Sequence, residues 1–294
     1  MFRLGHVTDP HFRGFSGAKA GEFVGKRAIG ALNLMVNRRR KHKMELLAAL
    51  REDLKAQAVD HLALTGDLSN LSLEGEWREA LRWLAAYGAP EHDVSVIPGN
   101  HDAYVEPVVT EHRFERLFAA YQGSDVDGDG GYPFARLRDG VALIGVSSSV
   151  ATGDLGAWGE VGAEQLGRLE ALLSGPVLRG RTRVVLIHHP PVMLKGIESR
   201  NLRDRAALAA VLARAGAELV IHGHDHRDEQ ATLPGPGGRS IPIIGAGSAS
   251  YAGAADRRAR YNIYEIDGER ITTVTRAHDE ASDSFREVRR QALS

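Results

Sequence analysis

The chain has 294 residues, of which 43% are hydrophobic and 26% charged, and its net charge is −1 with no cysteine. This composition is typical of a globular protein that can bury a sizeable core. It excludes a disulfide framework and thiolate metal sites, and it gives no general attraction to nucleic acid. No apolar run approaches the length of a membrane span.

Short apolar strands alternate with amphipathic helices along the chain. The predicted elements are, in chain order, strand 2–8, helix 44–57, strand 61–65, helix 74–87, strand 94–97, helix 111–121, strands 135–137 and 141–146, helix 163–173, strand 183–187, helix 205–214, and strands 218–221, 241–245, 261–266 and 271–276. This alternation predicts an α/β fold with helices outside, and the later strands predict a second sheet. We expect one domain over 1–278 and a polar, mobile tail over 279–294.

Five predicted strands end in clusters of polar residues. Because ligand groups gather at the carboxyl ends of strands in open α/β sheets, these side chains are expected to meet. One such residue alone is more often part of a turn or of the core. Burying a charge or an imidazole costs free energy unless the group is paired or binds a metal. Five such clusters together therefore predict a metal site. The clusters are Asp9-Pro10-His11, Gly66-Asp67, Gly99-Asn100-His101-Asp102, His188-His189 and Gly223-His224-Asp225-His226.

In this order, and over residues 9–226, the clusters resemble those of the calcineurin-like metallophosphoesterases. The resemblance implies a four-layer αββα sandwich of two mixed sheets flanked by helices, with a binuclear metal centre. Two divalent transition-metal ions are implied, Mn or Fe first, with Zn, Ni or Co as alternatives. The implied ligands are Asp9, His11, Asp67 and His226 for one ion, and Asp67, Asn100, His188 and His224 for the other, so that Asp67 is shared.

The resemblance also implies a mechanism, in which a metal-bridging hydroxide attacks phosphorus in line. His101 lies outside the implied ligand set, and we expect it to protonate the leaving oxygen. We expect Asp102 to hold the tautomer of His101, the alternative being a turn or helix N-cap.

Two further residues are candidates for substrate binding. Asn70 follows Asp67 by one turn and either contacts substrate or starts a helix. His189 either lines the pocket or is held in a turn by Pro190-Pro191.

A basic insert, residues 13–43, follows the first cluster. It has nine Lys or Arg residues against one acid, a charge of +8, and ends in Arg38-Arg39-Arg40-Lys41-His42-Lys43. Three interpretations stay open: a solvated helical cap, a lid that gives Arg38 and Arg39 to an extended phosphate substrate, and an interfacial element for anionic lipid.

The expected function is hydrolysis of a phosphodiester or nucleotide-type substrate, because the motifs resemble the cyclic-nucleotide and glycerophosphodiester branch of the family. The alternative is a UDP-2,3-diacylglucosamine pyrophosphohydrolase, since the insert is similar to that branch. A nuclease ranks third, because the insert has few aromatic residues for base stacking. A non-catalytic scaffold would have lost ligands or His101, which are all present.

The expected location is cytoplasmic, since the start of the chain lacks the basic region of a signal peptide. If the basic insert binds anionic lipid, the alternative is a location peripheral to the inner membrane face. No feature of the sequence favours a particular oligomeric state.

Overall fold

The computed structural model describes residues 1–34, 36, 41–126, 130–153, 156–193 and 198–293, and in these ranges it contains twelve strands and seven α-helices. The strands are β1 (Phe2–Val7), β2 (His61–Thr65), β3 (Val94–Ile97), β4 (Phe134–Arg138), β5 (Val141–Gly145), β6 (Thr182–Leu186), β7 (Leu219–His222), β8 (Glu229–Pro234), β9 (Ser240–Gly245), β10 (Arg260–Asp267), β11 (Arg270–Asp279) and β12 (Ser284–Ala292). The helices are α1 (Lys26–Asn33), α2 (Met44–Ala56), α3 (Glu74–Ala85), α4 (Glu106–Thr110), α5 (Arg113–Leu117), α6 (Ala163–Ser174) and α7 (Arg205–Ala215).

The strands form two mixed six-stranded sheets. The first has the order β12-β11-β10-β1-β2-β3, with β1, β2 and β3 parallel. The second has the order β4-β5-β6-β7-β9-β8, with β5, β6, β7 and β9 parallel. The predicted pair of mixed sheets is therefore confirmed.

Apolar side chains alternate between the faces of each sheet, as the two-residue period of a strand requires. In β6, Val184 and Leu186 join the core between the sheets, whereas Val185 faces the outer core. The outer core of the first sheet includes Leu50 of α2 and Trp77 of α3. The helices therefore cover the outer faces, which gives the predicted αββα sandwich.

The expected mobile tail at 279–294 is wrong, because this segment contains β12. Eight of its nine residues pair antiparallel with β11, Val288 lies at a register shift, and only Phe285 of the strand is buried. An edge strand with one buried side chain has too little hydrophobic alternation to be recognised from sequence.

The predicted helix 111–121 is also interrupted. It is replaced by α5 and a short 3₁₀ turn at Ala119–Tyr121, and His112, whose φ of 48° is left-handed, separates α5 from the preceding α4. A left-handed residue cannot continue an α-helix.

Within the basic insert, α1 lies against the loop that follows β2. The Arg27 guanidinium donates to the carbonyl oxygens of Leu71 (2.9 Å) and Ser72 (2.7 Å), and Ala31 packs on the same loop. None of the helices in the described ranges combines the length and hydrophobicity that a bilayer crossing requires.

Candidate metal centre

The polar clusters predicted from sequence meet at one edge of the sandwich. They follow β1, β2 and β3 of the first sheet and β6 and β7 of the second. Because these strands run parallel within each sheet, their carboxyl ends lie side by side. Six of the seven predicted ligands are almost fully buried, and His226 is half-buried.

The first group contains Asp9, His11, Asp67 and His226, whose ligand atoms all lie within 4.8 Å of one another. The Nε2 atoms of His11 and His226 are 3.1 Å apart. The Nε2 atom of His226 is 3.2 Å from Oδ1 of Asp9, and Nε2 of His11 is 3.9 Å from Oδ2 of Asp67.

The second group forms around Asn100. Its Oδ1 atom lies 3.2 Å from Nε2 of His188 and 2.9 Å from Nδ1 of His224. Nε2 of His188 is also 3.4 Å from Oδ1 of Asp67. Asp67 thus presents one carboxylate oxygen to each group.

These spacings fit a pair of transition-metal ions. Two ligand atoms at about 2.1 Å from one ion, and at right angles to each other, lie about 3 Å apart. Most of the distances above match that separation. In addition, the carboxylate, imidazole and amide donors of this set suit Mn, Fe or Zn.

The far nitrogens of three histidines face backbone carbonyl oxygens. Nδ1 of His11 donates to Ser69, Nδ1 of His188 to Thr65 and Nε2 of His224 to Arg200, at 3.1, 2.7 and 2.9 Å. Because a carbonyl only accepts, each of these nitrogens carries the hydrogen, and the other ring nitrogen keeps its lone pair for a metal.

The ligand loops are strained. Among the described residues, ten non-glycine residues have positive φ, and half of them belong to the predicted ligand set. Such backbone costs of order 1–3 kcal/mol per residue and persists only where the surroundings enforce it. The five are Asp9 (φ 50°), His11 (φ 48°), Asp67 (φ 54°), His224 (φ 77°) and His226 (φ 54°).

Gly223 shows why the motif contains glycine. A Cβ atom at this position would overlap the hydroxyl group of Thr8 and crowd the carboxylate of Asp9. Its absence allows the backbone N–H of His224 to reach Oδ2 of Asp9 at 3.1 Å.

The pKa values of the two carboxylates of the first group are shifted in opposite directions. Burial, and then the negative charges of Asp9 and Asp102, raise the pKa of Asp67 well above its ordinary value. Burial would also raise the pKa of Asp9, but charge and hydrogen bonding from His226 lower it overall. Bound cations would offset the repulsion between these acids.

His101 lies beside the shared carboxylate. Its backbone N–H donates to Oδ1 of Asp67 (2.8 Å), and its Nδ1 donates to the carbonyl oxygen of Asn70 (2.7 Å). Its ring stacks on Tyr104 with 5.4 Å between ring centroids.

Asp102 differs from its predicted role, because its carboxylate bonds to the surrounding loops instead of the His101 ring. It accepts from the backbone N–H groups of Leu68 (3.0 Å) and Gly99 (3.0 Å) and from Nε1 of Trp77 (3.1 Å). Its buried charge therefore fixes the ligand loops after β2 and β3.

Asn70 and His189 both bond to protein groups near the centre. The Asn70 amide donates to the carbonyl oxygens of His11 (3.2 Å) and Phe12 (2.9 Å). His189 is buried, with Nδ1 at 2.8 Å from Ser148 Oγ and Nε2 at 3.2 Å from the Ala157 carbonyl oxygen. Arg38 and Arg39 lie outside the described residues.

One neighbour of the centre that the sequence did not single out is His42. It is 5% exposed, and its ring centroid is 5.0 Å from that of His11. It lies in a cationic tract, a pattern that predicts a solvated segment. The one feature of the sequence that could have pointed to His42 is that it is the only histidine of the insert.

Comparison with known proteins agrees with this geometry. The profile of the calcineurin-like phosphoesterases matches residues 2–228. The chain belongs to this family. A cAMP/cGMP dual specificity phosphodiesterase of Mycobacterium tuberculosis is 29% identical over 213 residues, which cover 70% of this chain and 59% of that relative. The match thus spans about three fifths of the relative's length.

Two solved structures share the fold of this phosphoesterase. A dimetal phosphatase from Danio rerio superposes with a TM-score of 0.64 at 15% identity, covering 98% of both chains. A purple acid phosphatase from yellow lupin gives 0.60 at 12% identity, covering this whole chain and 53% of the other. At these identities the likeness concerns the αββα fold alone.

Proposed function

We propose that this metallophosphoesterase is a phosphodiesterase with two divalent transition-metal ions, Mn or Fe in first place, for which Zn, Ni and Co are alternatives. The observation that carries the proposal is the position of Asp67, which presents one carboxylate oxygen to each of two ligand groups. A shared carboxylate is what two ions about 3.5–4 Å apart require.

When bound, the ions supply Lewis acidity toward the phosphoryl oxygens and lower the pKa of water. The protein positions the ligands through buried backbone contacts and excludes bulk water from most of them. His101 acts on the leaving group. With Nδ1–H held by the Asn70 carbonyl, a protonated ring carries its second hydrogen on Nε2 and can pass it to a departing alkoxide.

A cavity beside the centre favours diesters over monoesters. It has a volume of about 640 Å³ and is lined by Arg200, Arg227 and Arg257 together with Asp225, which lies between two predicted ligands. Nη2 of Arg200 is 3.3 Å from the His224 carbonyl oxygen, so the cavity adjoins the second ligand group. A phosphodiester carries a second organic group, which this space can hold.

The test is hydrolysis by Mn²⁺-loaded protein of bis-p-nitrophenyl phosphate, p-nitrophenyl phosphate and cyclic AMP. We expect the two diesters to be cleaved with higher kcat/KM than the monoester. Preference for the monoester, or no turnover by protein that contains two metal equivalents, would contradict the proposal.

A second candidate function is hydrolysis of a lipid-linked phosphate ester, favoured by the outer face of the insert. Ile29, Leu32 and Val36 lie three and four residues apart and are 57%, 65% and 55% exposed, and Val24 is exposed beside them. The opposite side of α1 is buried through Arg27 and Ala31. An apolar outer stripe in a segment of charge +8 is suited to an anionic lipid surface.

The contact between α1 and the neighbour of His101 supports this candidate. The Tyr104 ring stacks on the His101 ring. Nζ of Lys26, in α1, lies over the same Tyr104 ring, 4.6 Å from its centroid. A lipid held by α1 would therefore have its phosphate group close to His101.

Co-sedimentation with phosphatidylglycerol vesicles tests this second candidate. We expect the wild type to pellet and an Ile29→Ser/Leu32→Ser variant to remain in solution. Neutralising Arg38, Arg39, Arg40 and Lys41 should also abolish pelleting, with loss of salt sensitivity. A Val177→Ser/Val288→Ser variant, which alters exposed apolar residues elsewhere, is the matched control and should pellet. Failure of the wild type to bind would contradict this candidate.

A further inference from the structure

His42 connects the basic insert to the first ligand group. One ring nitrogen of His42 lies within 4.8 Å of ring nitrogens of both His11 and His226. The ring centroids are 5.0 Å and 5.6 Å apart, respectively, and both pairs meet edge to face. Three imidazoles from three distant segments therefore converge at this corner of the centre.

A backbone clamp fixes the position of His42. It pairs antiparallel with Tyr251, and the flanking bonds run from the Ala252 N–H to the Lys41 carbonyl (2.6 Å) and from the Lys43 N–H to the Ser250 carbonyl (2.9 Å). The ring is nearly buried although the residues on both sides of it in sequence are exposed lysines. The fold thus turns the His42 side chain inward.

The same loop also holds the first ligand segment. Ser248 Oγ donates to the Asp9 carbonyl (2.7 Å), and the Ala249 N–H donates to the Thr8 carbonyl (3.0 Å). Two residues further on, Ser250 Oγ lies 2.8 Å from Nδ1 of His42. His42 and Asp9 are therefore positioned by one rigid segment, as a ligand set requires.

The bond to Ser250 has a chemical consequence. When Nδ1 donates to a hydroxyl oxygen, the ring takes the tautomer whose lone pair is on Nε2, at the opposite corner of the imidazole. Carbonyl oxygens impose this tautomer on His11 and His188, and the Ser250 hydroxyl, which can both donate and accept, allows it for His42.

We infer that His42 is a further protein ligand of the ion held by Asp9, His11, Asp67 and His226, so that the basic insert closes directly onto the metal centre. The inference rests on the proposed dimetal site. It gives the first ion three imidazoles and two carboxylates, against two imidazoles, an amide and a carboxylate at the second. The first site should accordingly prefer metals that bind nitrogen well.

Metal titration of the full-length apoprotein tests the inference. Wild type is expected to bind two Zn²⁺ ions, and His42→Gln is expected to weaken one of them by about tenfold or more, since even the loss of an outer-shell partner costs about 10–100-fold. The other site should keep its affinity. Ser250→Ala should weaken metal binding at the same site by a smaller factor. His92→Ala, which removes an exposed histidine side chain, should leave the affinity of both sites unchanged.

A second readout separates a ligand from a neighbour. In Co²⁺-loaded protein, ring N–H protons of bound imidazoles give strongly shifted NMR signals, and His42→Gln should remove one of them. Unchanged affinities and an unchanged signal count would overturn the inference and leave His42 a packing residue. Equal weakening of both sites would overturn it too. A wild type that binds fewer than two ions would instead contradict the proposed dimetal site.

Discussion

Nδ1 of His101 donates a hydrogen bond to the carbonyl oxygen of Asn70 at 2.7 Å. This bond fixes the ring orientation next to the shared carboxylate, since the carbonyl accepts only and cannot exchange roles with the imidazole. A backbone group therefore orients His101.

His101→Ala should keep both metal ions and lose about 10²–10⁴-fold in kcat, the range for a positioned acid. The loss should be smaller with p-nitrophenolate as leaving group than with an alkoxide, because a good leaving group needs less protonation. Rates on matched aryl and alkyl diesters measure the difference. Equal losses on both would assign His101 a structural role.

Asp67→Ala should remove most bound metal and all activity, because both ions lose a ligand. Elemental analysis after loading and desalting gives the metal content per chain. Asp256→Ala, which removes an exposed carboxylate, is the control and should retain two equivalents. Two equivalents in Asp67→Ala would contradict the bridging role.

Asp67→Asn should raise the unfolding midpoint of the metal-free protein at neutral pH. Burial and the neighbouring carboxylates raise the pKa of Asp67, so the stability that its protonated form contributes is lost as pH rises through the folded-state pKa. The neutral amide avoids that loss. In metal-loaded protein the same variant should unfold at a lower temperature than wild type, and scanning calorimetry on both forms compares them.

Asp102→Asn should destabilise the protein by about 2–4 kcal/mol, because one amide oxygen cannot replace two carboxylate oxygens and the new NH₂ group faces donors. Urea unfolding measures the change. Ser69→Ala removes only one donor to Asp102 (2.7 Å) and should cost about 1 kcal/mol. A cost for Asp102→Asn no greater than for Ser69→Ala would contradict the loop-anchoring role.

Acid should destabilise the fold through His61. Burial, with help from Arg138 and Arg136, lowers the pKa of His61 to about 3, whereas an unfolded histidine titrates near 6.5. A histidine whose pKa is lowered on folding makes its full contribution to stability above about pH 6.5. This contribution is lost as the pH falls from about 6.5 toward 3.

His61→Gln should therefore flatten the pH dependence of the unfolding free energy between pH 6.5 and 3 by about 1.4 kcal/mol per pH unit. Denaturant unfolding at several pH values measures the slopes of both proteins. Parallel slopes would show that His61 does not carry the effect.

The sequence predicted the sandwich and the ligand positions because both depend on local patterns. Strands such as His61–Thr65 and Val94–Ile97 are short apolar runs, and their predicted bounds are those of the structure. Each of these strands is followed by a polar cluster. The convergence at Asp67 then follows from the parallel order of the strands.

Other features depend on contacts between distant segments. His42 lies in a cationic tract, and only the pairing with Tyr251, more than two hundred residues away, turns it inward. The Asp102 carboxylate follows His101 directly in sequence, yet the turn after β3 directs it to Trp77 and Leu68. Neighbours in sequence do not reveal which way a turn points a side chain.

The edge strand β12 has a consequence for self-association. Its exposed side chains include Arg286, Glu287 and Arg290, and charged side chains on an edge strand disfavour pairing with a second chain. Removing residues 284–294 would expose β11, a threonine-rich strand whose unpaired N–H and C=O groups would template intermolecular sheets. This polar segment thus shields the first sheet from aggregation, at the opposite edge from the strands that carry the metal ligands.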